Sequence, residues 1–107
     1  VSFTCHMPDC LEMPYKPAVL NAVEKSAHEY NLGGMSCLAG DFMGTWCFEN
    51  QLKIGDKVVF DDMIHYTMVK TTTFNGINLP NIGIWKADDT FELVQSYGYE
   101  DYKKRLS

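Results

Sequence analysis

The sequence is short of several features that would otherwise direct a reading. No apolar run approaches the length needed to cross a membrane. The opening residues, VSFTCHM, have no basic stretch leading into an apolar run, as a secretory signal would. Positive charge is in the minority: nine Lys and Arg stand against fourteen Asp and Glu, a formal net charge of −5. That balance argues against nucleic acid or an anionic membrane as a partner and is compatible with a cationic one. There is no glycine-rich phosphate loop, no HExxH pair and no nucleophile elbow. Internal repeats and low-complexity tracts are also absent.

What is present fits one packed domain, residues 1–107. Of the 107 residues, 46% are hydrophobic and 13% aromatic, enough for a modest core and too few residues for two ordinary domains. Because the chain opens in what reads as mid-strand, it is expected to be a piece of a longer cytoplasmic protein. The four cysteines, Cys5, Cys10, Cys37 and Cys47, would allow three disulfide connectivities, but without a secretory signal free thiols are the expectation. Cys5, His6, Cys10 and Cys37 offer zinc-ligand chemistry at a spacing that fits neither a CxxC pair nor a finger, so no metal site is assigned. The plainer reading is buried or loop thiols beside a solvent-facing histidine.

Along the chain, Val58–Gly76 (VVFDDMIHYTMVKTTTFNG) has the Val, Ile, Tyr, Phe and Thr content of a long strand, ended by an Asn-Gly turn. On an unbroken strand Phe60, Ile64, Tyr66 and Met68 would share one face, which makes Tyr66 a core residue on pattern alone. A short strand is expected at Val1–His6. Pro8, Pro14 and Pro17 then imply an extended loop to Lys16 with Asp9 at its start, read locally as a turn or cap residue. Pro17–Tyr30 carries Val19, Val23, Ala27 and Tyr30 at helical spacing, with a strand over Ala18–Val23 as the alternative. Met35–Asp41 reads as a small-residue loop, Phe42–Phe48 as a short helix or strand, and Gly55-Asp56 as a turn. Ile82–Lys86, Asp88-Asp89 and Phe91–Gln95 describe a hairpin. In the tail, from Tyr99 on, acids precede bases as a helix dipole prefers.

Taken together, FTCHMPDCLEMPYKP (3–17), MSCLAGD (35–41), LKIGDKVVFDDM (52–63) and HYTMVKTTTFNG (65–76) resemble the C-terminal β-domain of the barrel-fold, pyridoxal-phosphate-dependent basic amino acid decarboxylases. Within that superfamily the resemblance is to the carboxynorspermidine (carboxyspermidine) decarboxylase branch. It implies a mainly β fold, a sandwich or barrel with short helices, normally attached to an N-terminal β/α (TIM-like) barrel. It also implies pyridoxal 5′-phosphate as cofactor, a homodimer with shared active sites, and a cationic carboxylated polyamine as substrate.

The resemblance further implies roles for three residues. Gly34-Met35-Ser36-Cys37 matches the family's Gly-x-x-Cys loop, so Cys37 would reach into the partner subunit's site and protonate the carbon from which carbon dioxide has left. Tyr66 matches a tyrosine that contacts the cofactor phosphate. Asp9 falls on the acid that holds a substrate's distal ammonium. Two departures matter. Leu38 stands where ornithine and diaminopimelate decarboxylases place an acid, and Lys16-Pro17 replaces the Arg-Pro of the diaminopimelate enzymes. The cofactor's lysine, its phosphate-binding glycines and the acid on its pyridine nitrogen would all lie in the barrel, so these residues are expected to be inactive alone. The alternatives are an ornithine or diaminopimelate decarboxylase of the same fold, and a free-standing β binding domain.

Overall fold

In the computed structural model, which describes residues 1–8, 10 and 16–107, regular structure is mostly strand with short helices. The order is α1 (Phe3–His6), β1 (Ala22–Val23), β2 (His28–Gly33), β3 (Phe42–Phe48), a 3₁₀ turn (Phe74–Gly76), β4 (Ile82–Trp85), β5 (Phe91–Gln95) and α2 (Tyr99–Leu106). β1 and β2 flank β3 in an antiparallel three-stranded sheet, and β4–β5 form a separate antiparallel hairpin.

β2 alternates half-buried and exposed residues along its length, the pattern of a strand with one wet face. It pairs with β3 from His28↔Phe48 to Gly33↔Phe42, with a register shift between Asn31 and Gly33. No helix forms over Ala18–Val23, and the strand reading holds in part: Val19 bridges Phe60, Leu20 and Asn21 turn the chain, and Ala22 and Val23 pair with Phe48 and Cys47. Helical spacing was real in the sequence, but β3 offered ladder partners and tertiary pairing overrode a weak helical preference.

The expected strand over Val58–Gly76 does not form. Among the described residues the ladder-like bonding there is Leu20 N–H to the Val59 carbonyl at 2.9 Å and Asp61 N–H to the Ala18 carbonyl at 2.8 Å. Asp62 then turns the chain with φ 56°. From Tyr66 the backbone closes on itself, its carbonyl accepting from the Val69 and Lys70 amides at 3.0 and 2.8 Å. A strand exists only where a neighbour supplies a run of ladder hydrogen bonds, and beyond Asp61 the described residues form no strand pairing, Thr72 to Cys5 being a single bond to a helix. Tyr66 is 48% exposed, so the pattern-based placement of its side chain in a core does not hold.

The expected strand at Val1–His6 is helical instead. Ser2 caps α1, its hydroxyl accepting from the Cys5 amide at 3.2 Å. His6 is buried, not solvent-facing. Around α1 lies a small core of Phe3, Met7 and Met43, against which Cys10, Leu32, Phe60 and Met63 pack. Phe3 meets Phe60 edge-on with ring centroids 5.6 Å apart. Large apolar side chains elsewhere stay exposed, among them Ile64, Val69, Trp85 and Phe91. All four cysteines are free thiols. Among the described residues no helix is long and apolar enough to cross a membrane.

Candidate active site

β2 and β3 are joined by the Gly34–Asp41 loop, closed at its base by the Gly34 amide donating to the Asp41 carbonyl at 2.8 Å. The Asp41 side chain is buried and organises everything near it. Its Oδ1 accepts from the backbone amides of Phe3 (2.6 Å) and Thr4 (3.2 Å), orphan donors at the start of α1. Its Oδ2 accepts from the Ser2 hydroxyl at 2.8 Å and the Ser36 amide at 2.9 Å. Burial by itself would raise the Asp41 pKa, but hydrogen bonds from Ser36, Ser2 and Thr4 outweigh it and hold the carboxyl well below the usual carboxylate range. Gly34 is required for the same reason: a Cβ there would collide with the Asp41 carboxylate.

Cys37 sits on this loop, exposed. Its backbone amide donates to Asn75 Oδ1 at 2.9 Å, and the next amide, of Leu38, donates to Ser36 Oγ at 3.3 Å. Asn75 belongs to the 3₁₀ turn and has φ 60° and ψ 15°, a left-handed conformation that Asn tolerates better than most side chains.

Tyr66 stands before that turn, with Lys70 Nζ 5.9 Å from its ring centroid. The segment is tied to α1 by the Thr72 amide donating to the Cys5 carbonyl at 3.0 Å. Thus Cys37 and the turn that follows the Tyr66 segment are brought together through Asn75, while Tyr66 itself stands with Lys70. Asp9 lies outside the described residues.

His6 accepts from the Ser2 amide at Nδ1 (3.2 Å), and burial lowers its pKa, as does the terminal ammonium. Among the described residues no group of three or more His, Cys, Asp and Glu is placed to hold a metal ion. Sequence reasoning missed Asp41 and Asn75. The only signals were an acid closing a loop of small residues, and an Asn-Gly pair read solely as a turn.

No family model matches the chain. Individual relatives do. A carboxyaminopropylagmatine decarboxylase from Synechocystis is 56% identical over 99% of this chain and 28% of its own length. A carboxynorspermidine/carboxyspermidine decarboxylase from Campylobacter jejuni is 44% identical over 97% of this chain and 31% of its own. The crystal structure of carboxynorspermidine decarboxylase complexed with norspermidine, also from C. jejuni, matches 98% of this chain and 32% of its own with TM-score 0.86 and 45% identity. The chain belongs to the carboxynorspermidine/carboxyspermidine decarboxylase family. It spans less than a third of the length of these relatives. In this member of the family the Gly34–Cys37 segment leaves Cys37 exposed, with its backbone amide tied to Asn75.

Proposed function

We propose that these residues form the C-terminal β-domain of a pyridoxal-phosphate-dependent decarboxylase. It removes the α-carboxylate from carboxynorspermidine or carboxyspermidine to give norspermidine or spermidine. The observation that carries this reading is the likeness along 98% of the chain to a carboxynorspermidine decarboxylase, at TM-score 0.86 and 45% identity.

In the reaction the Cα–carboxylate bond breaks, its electron pair stays with the substrate, and a proton must then be added at Cα. Pyridoxal phosphate, when bound, supplies the sink for that electron pair. Cys37 delivers the proton: its thiol is exposed on a loop whose backbone is held, so it can project into a site completed by another subunit. Tyr66 fits the phosphate end of the cofactor, since its half-exposed phenol can donate without adding charge and Lys70 stands beside it as a cation. Asp9 pairs with the distal ammonium of the substrate, which fixes its orientation. The lysine that binds the cofactor comes from a β/α barrel outside these residues. The exposed apolar side chains Ile64, Val69, Trp85 and Phe91 suit contact with that barrel and with the second subunit of a homodimer.

A second reading concerns the substrate alone. The 56% identity to a carboxyaminopropylagmatine decarboxylase favours a carboxylated amine ending in a guanidinium. Asp9 suits that group as well, through a bidentate pair. A substrate panel on the full-length enzyme decides. Carboxynorspermidine, carboxyspermidine or carboxyaminopropylagmatine should exceed ornithine and diaminopimelate in kcat/KM by roughly a hundredfold or more. Preference for either amino acid would overturn the proposal.

A further inference from the structure

We propose that Asn75 and Asp41 together are positioning residues for Cys37, fixing the backbone from which its thiol is presented and so the direction in which its proton is delivered. The inference deepens the decarboxylase reading and rests on it.

Three consecutive amides, those of Ser36, Cys37 and Leu38, each donate to a side-chain oxygen: Asp41 Oδ2 at 2.9 Å, Asn75 Oδ1 at 2.9 Å and Ser36 Oγ at 3.3 Å. The Cys37 and Leu38 amides are exposed and can be satisfied by water, so bonding them to side chains adds little stability and fixes geometry instead. The two anchors that lie outside the Ser36–Leu38 run, Asp41 and Asn75, reach back to one short helix. Asp41 holds the amides of Phe3 and Thr4 at the start of α1. Asn75 lies in a turn closed by the Gly76 amide on the Thr73 carbonyl (2.8 Å), and Thr72 just before it donates to Cys5 of α1 at 3.0 Å. The Cys5 thiol adds a contact to the Phe74 carbonyl at 3.9 Å. A closed circuit results, from α1 through Asp41 to Ser36 and Cys37, across to Asn75, and back through Thr72 to α1. Cys37 is exposed, as are Thr72 and Asn75 on the far side of the circuit, and the Asn75 link spans 38 residues of sequence.

The chemistry makes such precision useful. A proton that reaches the cofactor carbon in place of Cα leads, after hydrolysis by water, to an aldehyde and leaves the amino group on the cofactor. A displacement of about 1 Å at a reacting group can cost on the order of a hundredfold in rate, and here it would also change which carbon is protonated.

The test uses the full-length enzyme with Asn75→Gly, which keeps the left-handed backbone and removes the acceptor, and Asn75→Asp, which keeps both. Two readouts are taken: aldehyde formed per carbon dioxide released, and hydrogen exchange of the 35–40 backbone in the cofactor-free enzyme. Asn75→Gly should raise the aldehyde share and speed exchange, each on the order of tenfold, and lower kcat similarly with KM within about twofold. Asn75→Asp should match the unsubstituted enzyme. An unchanged aldehyde share in Asn75→Gly overturns the proposal, as does an Asn75→Asp variant equally impaired. If Asn75→Gly fails to fold, exchange in the unsubstituted enzyme decides: an unprotected Cys37 amide overturns the clamp and a protected one supports it. Cys37→Ala is the separate control. Normal product from that variant removes the proton-donor role, while the exchange data still decide the clamp.

Discussion

Asp41 shows how much a single buried carboxylate can organise. Its four short hydrogen bonds come from two segments far apart in sequence, so its removal strands the amides of Phe3, Thr4 and Ser36 together. Asp41→Ala should therefore cost about 3 kcal/mol of stability in denaturant titration, the range for hydrogen bonds to a buried charge. The pH dependence follows in sign. The folded-state pKa lies below the ordinary value of 3.8, so in mild acid the unfolded chain binds more protons than the folded one. The stabilisation is complete above about pH 5, declines as pH falls past 3.8, and is fully lost only below the depressed folded value. Asp41→Asn should flatten that decline; an unchanged acid slope would count against Asp41 as its source. Nothing in the sequence marked this role. Asp41 was legible as the end of a loop, but its partners on α1 become neighbours only once the sheet has formed.

At the scale of elements, legibility followed the availability of local partners. The β4–β5 hairpin was readable because its two strands pair with each other across a short turn, Ile84 opposite Glu92 and Trp85 opposite Phe91. Asp88 Oδ1 accepts from the Thr90 hydroxyl at 2.6 Å and the Thr90 amide at 3.1 Å, while Asp89 takes φ 62°. A β-branched residue at Asp89 would sit in strain. Asp89→Val should lower the melting temperature by a cost of about 1–2 kcal/mol, and Asp89→Gly should be neutral or slightly stabilising. Equal effects of the two would contradict the turn geometry. Helix α2 was readable for a comparable reason, with Glu100 and Asp101 in its first turn and Lys103, Lys104 and Arg105 in its last. Val58–Gly76 and Val1–His6 were not readable. In the first, only Val59–Asp61 found a partner, at Ala18–Leu20, and the described residues offer the strand-forming residues beyond them no strand pairing. In the second, a helix too short to nucleate alone was held by Asp41 from another segment.

For the whole molecule, the fold and the family were visible in four motifs at compatible separations, and likeness along nearly the full chain to carboxynorspermidine/carboxyspermidine decarboxylases bears out that recognition. The candidate site was only partly legible. Cys37 and Tyr66 could be given roles from motifs, and Cys37 does occupy an exposed loop, but the bonds that hold it come from Asn75 and Asp41, which lie in the same motifs with no role read for them.

The central claim is that this loop presents a proton donor to a site finished by other parts of the enzyme. The most direct measurement is turnover and product identity for full-length Cys37→Ala acting on a carboxylated polyamine. Loss of a positioned proton donor predicts a fall in kcat of about a hundredfold or more, with a large share of turnovers ending in aldehyde. Normal turnover yielding only the polyamine would contradict it.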